Sequence, residues 1–438
     1  MGLVRCVAMV AVLAMLAVAP AAAQGSAVAP EAVMRNWYRL VLELVRHTPT
    51  MSPPVASRAM GYVGVTAYET VASGAPDMTS LAGQVNGLTA GPLREPGAVY
   101  DEAVAVQAAL AASVGAFFAN TGPTGQRAML AMTDKFGAKV AAGVPADVVQ
   151  RSTALGQAMA AHVLGWSQGD GGAVVENMGF PYDYTPKVGP QYWVPTSLVR
   201  QQQAPLLPLW GQNRPFAMPA GNACPLPPPP AYSEDAASQF YAEAMEVVDA
   251  KANLTPDQKA IARFWSDDPM LSPTPPGHWM SIALQILERD GADLATHVDV
   301  MARLGMAVSD AFIGCWEAKF DYDLLRPVTY IRRVIDPKWE PLLITPPFPE
   351  YPSGHSTQSG AAATVLTALY GEGYGFTDAT HADDGLAPRS YPGFWAAAEE
   401  AGVSRLYGGI HFRAAIDRGL DQGRCIGEHI NALKTLDK

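Results

Sequence analysis

Apolar residues at Val33, Trp37, Leu40, Val41 and Leu44 recur every three or four positions, the spacing of one face of an α-helix. Comparable Ala-rich patterns run near 56–72, 99–118, 125–141 and 146–166, so the first half of the chain is expected to be helical. No stretch alternates with the period of two that marks a half-buried strand. From Pro205 to Tyr232 the texture changes to PLLPLWGQNRPF and then CPLPPPPAY, which cannot continue a helix and predicts an ordered arm or linker. Helices are expected to resume at Ser233, a good N-cap. They resume again at Thr255-Pro256-Asp257-Gln258, where Thr at N-cap, Pro at N1 and Gln at N3 spell a capping box. The segment from Gly277 to Ile335 reads as helix interrupted near Gly291 and at Pro327, and 356–370, 394–407 and 414–433 complete the pattern. The expected fold class is all-α, built of packed helical bundles. Its divisions are an N-terminal lobe over 24–204, the arm over 205–232, and a C-terminal lobe over 233–438.

The first 23 residues add a different signal. Arg5, an apolar run from Cys6 to Pro20 and Ala21-Ala22-Ala23 before Gln24 predict an export leader that is removed, with a retained anchor as the alternative. The remaining chain is then expected to be periplasmic or extracellular, with no later uninterrupted apolar run of spanning length. The formal charge of −11 becomes one unit more negative when Arg5 leaves. Without a Lys/Arg run anywhere, a nucleic-acid partner is not expected. Cys224, Cys315 and Cys425 remain, too few and too scattered to define a disulfide framework or a zinc spacing.

Three short stretches carry candidate chemistry. In Lys319-Phe-Asp-Tyr-Asp-Leu-Leu-Arg326-Pro327 the two cations are seven residues apart, about 20° on one helical face, and could converge on one target. Alternatively, Asp323 stands where it could pair with either of them. In PPFPEYPSGHSTQS (346–359), prolines fix the approach to a helix. With Pro352 in the first turn, the amides of Ser353, Gly354 and His355 would be left for an anion, and His355 would be placed beside it as an acid/base. An ordinary capped helix with a surface histidine is the other reading. In Ser404-Arg405-Leu-Tyr-Gly-Gly-Ile-His411, a helix ending at the glycine pair could bring Arg405 and His411 to one point, or His411 could simply be packed. Together the stretches offer two guanidinium forks, an ammonium, helix amides and two imidazoles, which is what a tetrahedral oxyanion site requires.

These three motifs, K-x6-R-P, P-S-G-H and S-R-x5-H, resemble the signature of the superfamily shared by vanadium-dependent haloperoxidases and type 2 phosphatidic acid phosphatases, including bacterial acid phosphatases. The motif-bearing resemblance covers about residues 255–435. It implies that Lys319, Arg326, Ser353, Gly354 and Arg405 hold the oxygens of vanadate or phosphate. It implies also that His411 is the ligand of vanadium or the phosphoryl nucleophile, and that His355 is the acid/base. Phe348 and Trp316 resemble aromatic positions that border vanadate in chloroperoxidases, and Phe264-Trp-Ser-Asp-Asp268 resembles a segment whose acid pairs with the last arginine, which makes Asp268 the candidate to orient Arg405. His278 resembles a position in bacterial haloperoxidase-like chains. Where many members carry an aspartate four residues after the last histidine, this chain has Ala415, so Asp417 or a backbone carbonyl is expected to orient His411. The resemblance implies vanadate as cofactor, with hydrogen peroxide, halide and an organic acceptor as substrates and Lys319 polarising the peroxide. A soluble acid phosphatase acting through a phosphohistidine on His411 is the alternative, and an oxyanion-binding protein without turnover is a third.

Overall fold

The computed structural model of the chain describes residues 25–180 and 184–436, so the expected leader over 1–23 lies outside the described residues. The fold is all-α. The N-terminal half contributes α1 (Pro30–His47), α2 (Pro53–Ala72), α3 (Glu102–Phe117), α4 (Pro123–Ala131), α5 (Gly137–Ala141), α6 (Ala146–Ser167) and the single turn α7 (Gly172–Val175). The C-terminal half contributes α8 (Gln239–Ala252), α9 (Pro256–Phe264), α10 (Thr274–Arg289), α11 (Leu294–Tyr322), α12 (Pro327–Val334), α13 (Gly354–Tyr370), α14 (Phe394–Tyr407) and α15 (Arg413–Asn431). The face of α1 that the periodicity marks is the buried one, with Val33, Trp37, Val41 and Leu44 inside and Leu40 at its edge. One continuous buried apolar cluster draws on both halves, from Val33 to Leu433. Its axis is the pairing of α2 with α11, both buried on nearly every side.

The sequence signals place most boundaries and misplace three. Thr255 forms the expected capping box, its hydroxyl accepting from the Gln258 amide at 3.2 Å while the Gln258 side chain accepts from the Thr255 amide at 3.0 Å. Ser233 does not start a helix: it accepts from the Asp235 amide in a turn, and α8 begins after Ser238, whose side chain takes the Tyr241 amide. The long helix α11 stops at Tyr322, because Asp323 adopts a left-handed conformation with φ 51°. Lys319 and Arg326 therefore do not share a helical face; Arg326 is the N-cap residue of α12. A two-stranded hairpin, β1 (Phe376–Asp378) with β2 (Arg389–Tyr391), went unpredicted because three residues per strand cannot display a period.

The Pro-rich arm is packed rather than loose. Trp210, Phe216, Met218 and Cys224 are buried, and the Asp310 carboxylate of α11 accepts from the amides of Phe216, Ala217 and Met218. A disulfide joins Cys224 in the arm to Cys425 in α15, across 201 residues of sequence, while Cys315 is free and buried. Two contacts bear directly on the site. Helix α15 lies against α13 so closely that a Cβ on Gly423 would sit 2.2 Å from the Thr357 carbonyl oxygen, so only glycine permits the approach. At the end of α14, Gly409 takes φ 75° and turns the chain back toward His411.

Candidate active site

The motif residues meet at the floor of a cavity of about 780 Å³. Each is delivered by the end of a helix. Lys319 comes from the last turn of α11, Arg326 from the cap of α12, Ser353 to His355 from the start of α13, Arg405 from the last turn of α14, and His411 from the turn before α15. Gly354, His355, Arg405 and His411 line the cavity, while Lys319, Arg326 and Ser353 are fully buried.

Hydrogen bonds define the state of His411. A guanidinium can only donate, so the 3.1 Å contact from Arg326 Nη1 makes His411 Nε2 the acceptor. The ring proton then lies on Nδ1, which donates to Glu350 Oε1 at 2.8 Å. The same carboxylate oxygen accepts from the Phe412 amide at 2.9 Å. His411 is thus a neutral imidazole with a lone pair on Nε2. Burial, reinforced by Arg326 and Lys319, agrees, holding its pKa well below the ordinary histidine value. Glu350 is the partner in question, not Asp417, which is exposed on α15. The helix does not begin late enough to bring Asp417 inward: α15 starts at Arg413, and position 415 faces the core as Ala415. Burial pushes Glu350 up to about 8 against the pull of Arg326 and Lys319, and its second oxygen, Oε2, is buried without a partner.

The cations are packed around one aromatic ring. Lys319 Nζ lies 5.3 Å and the Arg326 guanidinium 5.0 Å from the centroid of Phe348, which in turn packs on Trp316 at 4.9 Å. Trp316 is held by its indole N–H donating to the Leu206 carbonyl. Burial lowers Lys319 to about 7 and Arg326 and Arg405 to about 10 each, the cost of gathering positive charge out of water. Lys319 donates to the carbonyls of Pro349, Glu350 and Pro352, so in this structure it supplies charge behind the loop rather than a free donor. Arg405 is oriented by the Trp265 carbonyl at 2.6 Å, the Ala262 carbonyl at 3.3 Å and the Ser404 hydroxyl at 3.0 Å. Asp268, expected to hold it, makes no hydrogen bond to it and acts only through its charge, its own pKa raised by burial.

The P-S-G-H segment departs from expectation by one residue. Ser353, not a first-turn Pro352, caps α13, accepting from the Ser356 amide at 3.3 Å. The Ser353 amide is taken by the Ala415 carbonyl at 2.9 Å, which leaves the amides of Gly354 and His355 as the first-turn donors. His355 Nε2 is buried without a hydrogen bond, 4.0 Å from Asp267 Oδ2. Burial and then Arg405 keep its pKa well below the ordinary value.

Behind His355 lies a buried charge cluster that the sequence reading did not anticipate. Asp267 accepts from His278 Nδ1 at 2.9 Å and from His381 Nε2 at 3.1 Å; His278 Nε2 reaches Asp378 at 2.7 Å, and His381 Nδ1 reaches Asp384 at 3.1 Å. Burial opposes a charge on His278, but the carboxylates on both ring nitrogens overcome it and hold its pKa up at about 10. Its ring stacks on Trp265 at 4.3 Å. His278 is accordingly a buried cation clamped between two acids, one of which, Asp267, also lies 4.0 Å from His355 Nε2.

Several features fit a tetrahedral oxyanion at the floor. Arg326 Nη2 and His355 Nε2 are buried without partners, and the His411 Nε2 lone pair, here accepting from Arg326 Nη1, is the one a bound oxyanion would take over. Comparisons with known proteins agree. The VCPO second helical-bundle domain matches residues 299–436. A solved structure described as the first bacterial vanadium-dependent iodoperoxidase superposes with a TM-score of 0.86 at 35% identity, over 95% of this chain and all of that one. The chain belongs to the vanadium-dependent haloperoxidases. The holo form of a bacterial vanadium-dependent chloroperoxidase shares the family fold at 17% identity, with a TM-score of 0.69 over 88% of this chain and 92% of its own. The vanadium chloroperoxidase of Curvularia inaequalis is 30% identical over 141 residues, which is 26% of this chain and only 23% of that haloperoxidase. The matched domain therefore covers the half that carries the oxyanion motifs, and this chain spans about a quarter of the Curvularia protein's length.

Proposed function

We propose that this haloperoxidase-family chain binds vanadate at the cavity floor and oxidises halide with hydrogen peroxide, giving a hypohalous species that halogenates organic acceptors. The observation that carries the proposal is the neutral His411, with its Nδ1 proton fixed by Glu350 and its Nε2 lone pair aimed among buried cations. Arg326, Arg405, Lys319 and the amides of Gly354 and His355 would neutralise and orient the oxyanion, with the Ser353 hydroxyl beside them. Bound vanadium supplies Lewis acidity toward peroxide. The chain's own part is binding, charge compensation and proton handling. His355 Nε2, unpartnered and kept neutral by burial and Arg405, is placed to take a proton from a bound acid and return it. Phe348 and Trp316 exclude water from the cations, which strengthens their field on a small anion.

The same lone pair on His411 would serve a phosphohistidine route, so the deciding assay has two arms. Purified protein is incubated with and without orthovanadate, and iodide or bromide oxidation by hydrogen peroxide is scored against hydrolysis of a chromogenic phosphate ester. Vanadate-dependent halide oxidation is the expected result. Hydrolysis that vanadate inhibits would overturn the proposal in favour of the phosphatase reading. We also read the chain as exported, which the Cys224–Cys425 disulfide supports, since such bonds persist in oxidising compartments. Cell fractionation that leaves the protein wholly in the cytoplasm would end that reading.

A further inference from the structure

We infer that the cavity above the oxyanion site is a binding site for a neutral organic acceptor of one or two rings, held there while it is halogenated. The inference rests on the haloperoxidase reading for its chemistry but on independent features for its geometry.

Size is the first feature. A halide ion and a peroxide each need little more than the ~30 Å³ of a water molecule, whereas the cavity holds about 780 Å³, within the roughly 300–1,000 Å³ range of sites for drug-sized ligands. Vanadate and its small substrates would leave most of it unfilled.

Surface chemistry is the second. Met178, Leu271 and Ile344 are 55%, 67% and 79% exposed, and all three border this cavity. Singly exposed apolar residues are ordinary, but a group gathered at one concave mouth marks a surface that is covered in use. Phe180 and Phe348 add further apolar lining to the cavity that His355 and His411 also face, and Gln201 and Gln202 supply hydrogen-bonding groups.

Position is the third. The cavity opens directly over the residues that handle the oxidised halogen, so an acceptor seated there meets hypohalous acid before bulk water does. The transfer balances: the electrophilic halogen replaces a ring proton, and that proton leaves with the hydroxide of the hypohalous acid as water. Met178 and Phe180 come from the N-terminal half and Leu271 and Ile344 from the C-terminal half, so the cavity joins the two parts of the chain. The lining carries charge of both signs, Arg405 with Glu176, Asp267 and Asp268, so neither an anionic nor a cationic acceptor is favoured over a neutral one.

The experiment uses the full purified chain without vanadate and 2-naphthol as the probe, read by calorimetry. Saturable binding at one site is expected. Leu271→Asp combined with Ile344→Asp should raise Kd at least tenfold, with an unchanged thermal midpoint because both side chains are largely exposed. Absence of saturation, or an unchanged Kd in the double variant, would overturn the inference. A crystal soaked with 4-bromophenol gives a second measurement that needs no variant: bromine anomalous signal inside the cavity supports the site, and signal only elsewhere refutes it. If light scattering shows a dimer that the double variant dissociates, the mouth is an interface between copies and the inference fails. Triiodide formation by the vanadate-loaded wild type is measured separately. Naphthol binding without triiodide would support the cavity and sink the haloperoxidase reading, whereas triiodide without naphthol binding would do the reverse.

Discussion

Replacing Glu350 tests how His411 is prepared for its ligand. The Glu350 carboxylate takes the Nδ1 proton of His411 at 2.8 Å and the Phe412 amide at 2.9 Å on one oxygen. Glu350→Gln keeps an oxygen able to accept both bonds but removes the charge that, above the Glu350 pKa of about 8, makes the imidazole a better donor, so the comparison is made at pH 9. Loss of such an outer partner typically costs about 10–100-fold in metal affinity, which corresponds to ~1.4–2.8 kcal/mol. Glu350→Ala is harsher, orphaning two buried donors at about 1–3 kcal/mol each, and should lower stability as well as affinity. Equilibrium dialysis of vanadate against wild type, Glu350→Gln, Glu350→Ala and Asp417→Asn separates the effects. Both Glu350 variants should bind at least tenfold more weakly, Glu350→Ala alone should lose several kcal/mol in urea unfolding, and Asp417→Asn should match wild type because Asp417 is exposed and distant in bonding. Wild-type affinity in Glu350→Gln, or a weakened Asp417→Asn, would refute the reasoning.

Two further predictions concern the scaffold. His278 is held at about 10 rather than its ordinary 6.5 by Asp267 and Asp378 against the opposing effect of burial, so its contribution is complete below about pH 6.5 and is lost as pH rises toward 10. At ~1.4 kcal/mol per unit it amounts to as much as about 5 kcal/mol. Lys319, lowered to about 7 by burial, has the opposite sign above pH 7, so the test compares wild type with His278→Gln. The difference in urea midpoint should shrink steadily from pH 6.5 to 10, and a constant difference would contradict the assignment. Gly423→Ala puts a Cβ 2.2 Å from the Thr357 carbonyl oxygen and 2.7 Å from the Ala361 nitrogen, both backbone atoms. Overpacking of this kind costs about 1–3 kcal/mol. By prising α13 from α15 the same change should also weaken oxyanion binding, and an unaltered urea midpoint would show that the two helices are not held by this contact.

What the sequence disclosed follows from how local each signal is. Helical periods, the Thr255 capping box and the motifs around Lys319, Ser353 and Arg405 are encoded within a few residues, and each could be read directly. The break at Asp323 was hidden, since a non-glycine residue in the left-handed region carries no compositional mark. The hydrogen bond between Glu350 and His411 spans 61 positions and exists only once α13 and α15 are packed. A clue was available nonetheless: Glu350 is the single charged residue within PPFPEYP, and prolines on either side restrict where its carboxylate can go. The cluster of Asp267, His278, Asp378 and His381 draws on segments 100 or more residues apart, with no shared spacing to betray it.

The central claim is that one oxyanion completes a site built from five helix ends, with His411 Nε2 as the nitrogen that would hold it. Diffraction from crystals soaked in orthovanadate, collected at the vanadium absorption edge, tests it most directly. The account predicts a single anomalous peak bonded to His411 Nε2, with the Arg326 and Arg405 guanidinium groups on its oxygens. A peak elsewhere, or none at a saturating vanadate concentration, would contradict it.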